Sequence, residues 1–502
     1  MRTIRVDERD NVAIPVADLP EGAQVFDGVI ARDFIPQGHK VALEDIPEGG
    51  AVLRYGTALG RLMRGVPKGG LITEKMLLLP ESPDLDRLEF ATDIASALPE
   101  APLQTFEGYP VEGSSFAGTR NLLGIMTTVQ CVAGVLNASV ERMRRELLPL
   151  FPHVDDVVPL NHAYGCGVAI DAREAVIPIR SLRNLLRNPN FGGEIMVVGL
   201  GCEKLTVERL LEPGEISPEN VLMLQDHRGF VKMTDALMEM AERKLGRLNG
   251  RRRATLPLSR LCVGMQCGGS DAFSGITANP AAGYASDLLV SAGATVMFSE
   301  VTEVRDGVGQ LAARCADAAV GKRLVEEMRW YDDYLRAGGV DRSANPTPGN
   351  KKGGLANIIE KAMGSIAKSG RSPIVEVLSP GERPSARGLI FAATPASDMV
   401  CGTSQLASGI TLQVFMTGRG TPYGLAAAPV IKVSSRSDLK DMWSDLIDVD
   451  AGTIASGEAD IRTVGELLFR EIADVASGRK KPAAERYRLH NDLCLFNPAP
   501  IT

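Results

Sequence analysis

Leu261-Cys262-Val263-Gly264-Met265-Gln266-Cys267-Gly268-Gly269-Ser270-Asp271 opens as an apolar run of strand length and stops in a burst of glycine, thiol and polar residues. The same grammar recurs outward from it. DVVPL runs into Asn161-His162-Ala163-Tyr164-Gly165-Cys166-Gly167, and EIMVVGL into Gly201-Cys202-Glu203-Lys204. ATVMF ends in Ser299-Glu300, LIFAA leads through Thr394-Pro395-Ala396-Ser397-Asp398 to Cys401-Gly402, and LQVFM ends in Thr417-Gly418-Arg419-Gly420. In open α/β sheets the ligand crevice lies beyond the carboxyl ends of the strands, and glycine there lets the backbone approach a ligand. The six ends are expected to line one site.

The text around these ends alternates strand-like runs with amphipathic stretches such as Val135 to Leu148 and Leu205 to Leu211. That alternation predicts α/β layers on a largely parallel sheet. Residues 1–82 differ: five short strand-like runs (11–19, 23–31, 39–46, 51–63 and 69–79) are split by turns such as Pro36-Gln37-Gly38 and Glu48-Gly49-Gly50. This predicts a small all-β module. Residues 83–115, rich in proline and acidic side chains, read as a linker. The basic LNGRRRATLPLSR then separates α/β regions 116–252 and 253–502. The fold class expected is therefore multidomain α+β.

A net charge of −7 leaves no basic face for nucleic acid or an anionic membrane. Apolar runs fall far short of a membrane span, and MRTIRVDERDN lacks a signal-peptide core, so a cytoplasmic chain with reduced thiols is expected. Of the eight cysteines, Cys262 and Cys315 sit in apolar text and read as core, while Cys131 and Cys494 are undecided. Cys166, Cys202, Cys267 and Cys401, flanked by glycine, are the candidates for chemistry. Gly199-Leu200-Gly201 resembles a dinucleotide fingerprint, but Lys204 stands where its third glycine belongs. Gly349 to Gly354 lacks the spacing of a phosphate loop. Neither NAD nor ATP is supported.

Read together, Asp10-Asn11-Val12-Ala13, Gly38-His39-Lys40-Val41-Ala42, Gly118-Thr119-Arg120-Asn121, Asn161 through Gly167, Gly201 through Lys204, Gln266 through Gly275 and Asn497-Pro498-Ala499-Pro500 resemble the galactarate branch of the altronate/galactarate dehydratase family. The resemblance implies an N-terminal β-clip (SAF) domain joined to a large α/β catalytic part, and dehydration of galactarate, a sugar diacid, with iron(II). It also implies a homodimer acting on a small molecule. A mononuclear Fe(II) competes with an iron–sulfur cluster held by three glycine-flanked cysteines, and Mn(II) or Mg(II) also suits carboxylate ligands. Altronate dehydration, sulfite elimination from sulfolactate and non-catalytic sugar-acid binding are the rival readings.

Under that resemblance His39, His162, Lys40 and Asp271 are expected to handle protons. Arg120, Asn121, Lys204 and Arg419 are expected to hold substrate, because cationic and polar side chains suit its carboxylates. His39, Cys166, Cys202, Cys267, Cys401 and Glu300 are expected to bind metal. For Asp271 and Glu300 a helix-capping role stands beside the chemical one.

Overall fold

The computed structural model describes residues 3–26 and 28–501; Asp27, inside the expected run 23–31, lies outside them. In the N-terminal module Val12–Pro15 and Lys40–Ala42 pair antiparallel at the centre of a four-stranded sheet completed by Thr3–Ile4 and Leu71–Ile72. Successive strand residues point to opposite faces. Val12 and Ala42 accordingly enter one small core with Ile46, Val52 and Leu62, while Ala13 and Val41 enter another with Leu19, Val25 and Val29. A strand buried on both faces explains why this segment lacks the apolar/polar alternation of a half-solvated sheet.

Residues 83–115 are packed against the rest of the chain. Leu85, Ala101 and Phe106 join the largest core, and Thr105–Gly108 pairs antiparallel with Ala254–Pro257. The expected linker is thus a strap.

Two all-parallel sheets follow. The smaller has the order Asp156–Leu160, Leu122–Thr127, Val197–Gly199, Val221–Met223. The larger has seven strands, ordered Ile374–Leu378, Leu389–Ala392, Thr295–Ser299, Cys262–Cys267, Leu412–Thr417, Val430–Ser434, Val449–Asp450. Helices Ala133–Glu146 and Gly229–Asn249 cover one face of the small sheet. Its other face shares a core with the large sheet through helices Val176–Leu186 and Asp398–Ser408. Ala278–Ser291 and Ile461–Ala476 close the far face of the large sheet. Every residue of Cys262–Cys267 is buried, as a parallel strand between two helical layers requires. The expected helix at Leu205 to Leu211 is only a short 3₁₀ turn, Val207–Arg209, because Pro213 and Gly214 leave no room for a second turn.

Candidate active site

The six strand ends divide between the two sheets. Asn161–Gly167 and Gly201–Lys204 belong to the small sheet; Gln266–Asp271, Ser299–Glu300, Thr394–Cys401 and Thr417–Gly420 belong to the large one. Apolar strand text marks a carboxyl end but not the sheet it joins, so one expected site becomes two loop clusters.

At the large sheet, a Cβ placed on Gly268 would stand 2.4 Å from the Asp398 carboxylate, and one on Gly353 would stand 2.9 Å from Asp271 and 3.2 Å from Arg419. These loops therefore converge at one end of the sheet, the position at which an open α/β sheet has its crevice. The Gly38-His39 turn of the N-terminal module reaches it: Gly38, at φ +77°, lies against Ala272, Phe273 and Gly353. Arg436 bridges the two parts, donating from Nη1 to Gln37 Oε1 at 2.6 Å and placing Nε 3.0 Å from Asp271 Oδ2. His39 is half-buried on this turn, with Nδ1 3.3 Å from Gln37 O. Arg419 is exposed at the rim and makes no side-chain hydrogen bond or ion pair among the described residues. Burial, and next the Glu303 charge, lift the Asp398 carboxyl to about 6, while Gln266 Nε2 donates to its Oδ1 at 3.3 Å.

Beneath the crevice lies a buried group of acids, lysines and thiol. Lys361 Nζ is 2.6 Å from Glu303 Oε1, and Lys368 Nζ donates to Ser365 Oγ at 2.7 Å and to Cys267 Sγ at 3.3 Å. Glu300, with its backbone at φ +78°, has one carboxylate oxygen without a hydrogen-bond partner and 3.9 Å from Lys368. A non-glycine residue in the left-handed region at a strand end is strained backbone of the kind that clusters at functional sites. Burial, then the neighbouring Glu303 carboxylate, push Glu300 far above the usual carboxylate range. Burial also pushes Glu303 up, but Lys361 and Lys368 outweigh it and keep Glu303 ionised.

The ligand atoms of Cys267, Glu300 and Glu303 lie within 4.8 Å of one another. A lone metal ion fits them poorly, however. Lys361 and Lys368 already neutralise the charge that would attract a cation, and burial pushes the Cys267 thiol up.

Several expected roles are corrected. Arg120 is buried, bidentate to Glu485 at 2.7 Å through both nitrogens, and donates to Thr119 O and Val475 O. Asn121 donates from its backbone N to the Asp155 carboxylate at 2.8 Å and from Nδ2 to His153 O and Leu248 O at 2.7 and 2.9 Å. Both precede Leu122–Thr127 and so stand at its amino end, away from the loops at the carboxyl ends of the small sheet. His162 is a neutral core imidazole: Nε2 bonds Thr127 O at 2.7 Å, Nδ1 accepts from Tyr164 N at 3.2 Å, and burial lowers its pKa to about 4. Lys40 is buried between domains, 2.7 Å from Glu360 and donating to Gly354 O at 2.8 Å. Asp271 Oδ1 accepts from Phe273 N, Ser274 N, Ser274 Oγ and Ser435 Oγ, which makes it the anchor of its loop. Cys401 is buried within helix Asp398–Ser408, its thiol raised far up by burial, outside the group formed by Cys267 and Glu300. Cys166, Cys202 and Lys204 lie at the small sheet, where Lys204 Nζ donates to Val168 O at 3.1 Å.

Comparisons agree with the layout. Residues 1–79 match the altronate/galactarate dehydratase SAF domain, 108–249 the D-galactarate dehydratase/altronate hydrolase second domain, and 258–501 the D-galactarate/altronate dehydratase C-terminal domain. The chain belongs to the altronate/galactarate dehydratase family. It is 59% identical to the galactarate dehydratase (L-threo-forming) of Escherichia coli K12 over 509 residues, covering 99% of this chain and 97% of that protein. To the altronate dehydratase of the same organism it is 33% identical, over 96% of each chain. The β subunit of (2R)-sulfolactate sulfo-lyase from Chromohalobacter salexigens is 35% identical over 45% of this chain and 59% of that one.

The sequence reading did not single out Glu303, Lys361, Lys368, Arg436 or a role for Asp398. A signal for the lysines existed: Glu360, Lys361 and Lys368 interrupt the otherwise apolar and small helical text of 355–369, and charges on a buried helix need partners.

Proposed function

We propose that the chain dehydrates galactarate to 5-dehydro-4-deoxyglucarate in the crevice between the SAF turn and the carboxyl ends of the seven-stranded sheet. The observation that carries this reading is 59% identity to a galactarate dehydratase along 99% of the chain, almost twice the identity to the altronate enzyme. The geometry supports it. A proton must leave the carbon beside a carboxylate, hydroxide must leave the next carbon as water, and the resulting enol becomes a ketone. Arg419, exposed at the rim with no side-chain partner among the described residues, offers a guanidinium group for one carboxylate of the diacid. Asp398, near pKa 6, exists in both protonation states close to neutral pH, which suits a group that takes or returns a proton. His39, on the SAF turn that packs against these loops, is the second proton-handling group.

A cytoplasmic homodimer is part of the same proposal. No helix among the described residues is long and apolar enough to cross a membrane, and all eight cysteines are free. Sedimentation velocity tests the dimer. Turnover on galactarate, altronate and sulfolactate, measured in parallel, tests the substrate. Galactarate is expected to have the highest kcat/KM, and a preference for either of the others would overturn the assignment.

A further inference from the structure

The small sheet carries a second constellation that the crevice does not use. Its three neighbouring strands Asp156–Leu160, Leu122–Thr127 and Val197–Gly199 are each followed by a cysteine, namely Cys166, Cys131 and Cys202. All three are exposed, and none forms a hydrogen bond through sulfur among the described residues. Only one other exposed cysteine, Cys494, occurs among the described residues.

The loops that bear them are bolted together at the backbone. Lys204 N and Leu205 N both donate to Gly165 O, at 3.0 and 3.3 Å, tying the Cys202 loop to the residue before Cys166. Gly165, at φ +115°, lies so close to the Cys131 loop that a Cβ there would stand 2.0 Å from Thr128 O. The Glu203 carboxylate accepts from the Thr128 hydroxyl and from the amides of Leu200, Gly201 and Cys202 at 3.0, 2.7 and 2.9 Å. His162 fastens the Cys166 loop to Thr127 O. Such clamping holds three thiols at one sheet end without using them.

We propose that Cys131, Cys166 and Cys202 are the ligands of an iron–sulfur cluster at the carboxyl end of the four-stranded sheet. Among the described residues, three ligand atoms within 4.8 Å of one another occur only at Cys267, Glu300 and Glu303, so these thiols stand farther apart than the ligands of one ion. A cubane takes thiolates that a single ion cannot gather, because each thiolate binds a different iron. Three cysteines leave the fourth iron open to a non-protein oxygen ligand. A structural zinc site would need a fourth protein ligand, and Glu203 is fully engaged. The site rests on the cysteine geometry and stands apart from the substrate reading.

The full-length protein, purified anaerobically and reconstituted with ferrous iron and sulfide, should hold about four iron and four sulfide per chain. It should also show the broad visible absorption of sulfide-to-iron charge transfer. Cys131→Ser, Cys166→Ser and Cys202→Ser should each lose the cubane signature, and Cys494→Ser should keep it. In the unmodified chain, alkylation mapped by mass spectrometry should find Cys131, Cys166 and Cys202 protected by reconstitution and Cys494 still reactive, which keeps the test open if a variant folds poorly. Iron bound without sulfide, zinc bound in place of iron, or all four thiols alkylated at unchanged rates would each overturn the proposal. None of these readouts involves turnover, so failure of the galactarate assignment is seen separately.

Discussion

Glu360 joins two domains through charge alone, and replacing it by glutamine isolates that contribution. Its Oε2 is 2.7 Å from Lys40 Nζ and its Oε1 2.6 Å from Arg54 Nη1, while Ala356 N donates to it at 2.7 Å. Lys40 and Arg54 come from the N-terminal module, and all three side chains are at most 2% exposed. Burial drags the Lys40 ammonium down to about 8 even with Glu360 opposite it, which shows how little solvent helps. Removing one partner of a buried pair costs about 3–5 kcal/mol because the other charge is left stranded. Here Glu360→Gln strands two like charges, so the module should undock roughly 10²- to 10⁴-fold more readily. Lys40→Met should cost less, since Glu360 and Arg54 then balance. Native-state proteolysis in residues 83–100, with hydrogen exchange at Lys40–Ala42, reads undocking directly. An increase of less than tenfold for Glu360→Gln, or a larger effect from Lys40→Met, would refute the charge reasoning.

The buried His162 sets a pH dependence. Its folded pKa of about 4 lies below the ordinary 6.5, so the unfolded chain binds the extra proton between those values, and stability is lost as pH falls through that window, by roughly 3 kcal/mol in full. Urea unfolding of the second domain should show that loss in the native chain and not in His162→Gln; the same slope in both would refute it. Glu300→Gln should change thermal stability by no more than about 1 kcal/mol, since a protonated carboxyl and an amide are near-isosteres, whereas Glu303→Gln should cost about 3–5 kcal/mol by stranding Lys361. Equal effects would mean the two acids share their charge. His39→Ala should lower kcat on galactarate by about 10²- to 10⁴-fold at unchanged melting temperature, and retention of kcat would remove His39 from the chemistry.

The layers and their loop-bearing carboxyl edges were legible in the sequence because an all-buried parallel strand leaves an uninterrupted apolar run, and its carboxyl end is where glycine and polar residues gather. Cys262 and Cys315 read as core and are core, since apolar neighbours on both sides of a thiol place it in a packed layer. Partner choice was not legible. Arg120 resembles a carboxylate-binding arginine in one dimension, yet its own carboxylate, Glu485, arrives from 365 residues away. His162 sits beside chemistry-bearing residues, but its two nitrogens are taken by backbone groups that no side-chain pattern announces. Asp398 and the lysines beneath it escaped for the converse reason: each is unremarkable until burial and a neighbouring charge change what it does.

The division of the strand ends between two sheets bears on how the molecule is built around its substrate. The helical layer shared by the sheets, Val176–Leu186 against Asp398–Ser408, ties the segment that follows the Cys166 loop to the helix that presents Asp398. The C-terminal tail spans the same gap: Cys494 N donates to Thr403 Oγ1, and Ile501 bridges to Val168 just beyond Cys166. Both tethers join the two loop clusters, while the SAF turn is docked through the Glu360 charges and the Arg436–Gln37 bond. The buried acids beneath the large-sheet loops, Glu300 and Glu303, lie within this tethered part, and their unlike protonation depends on remaining dry, because burial raises Glu300 while the two lysines hold Glu303 ionised.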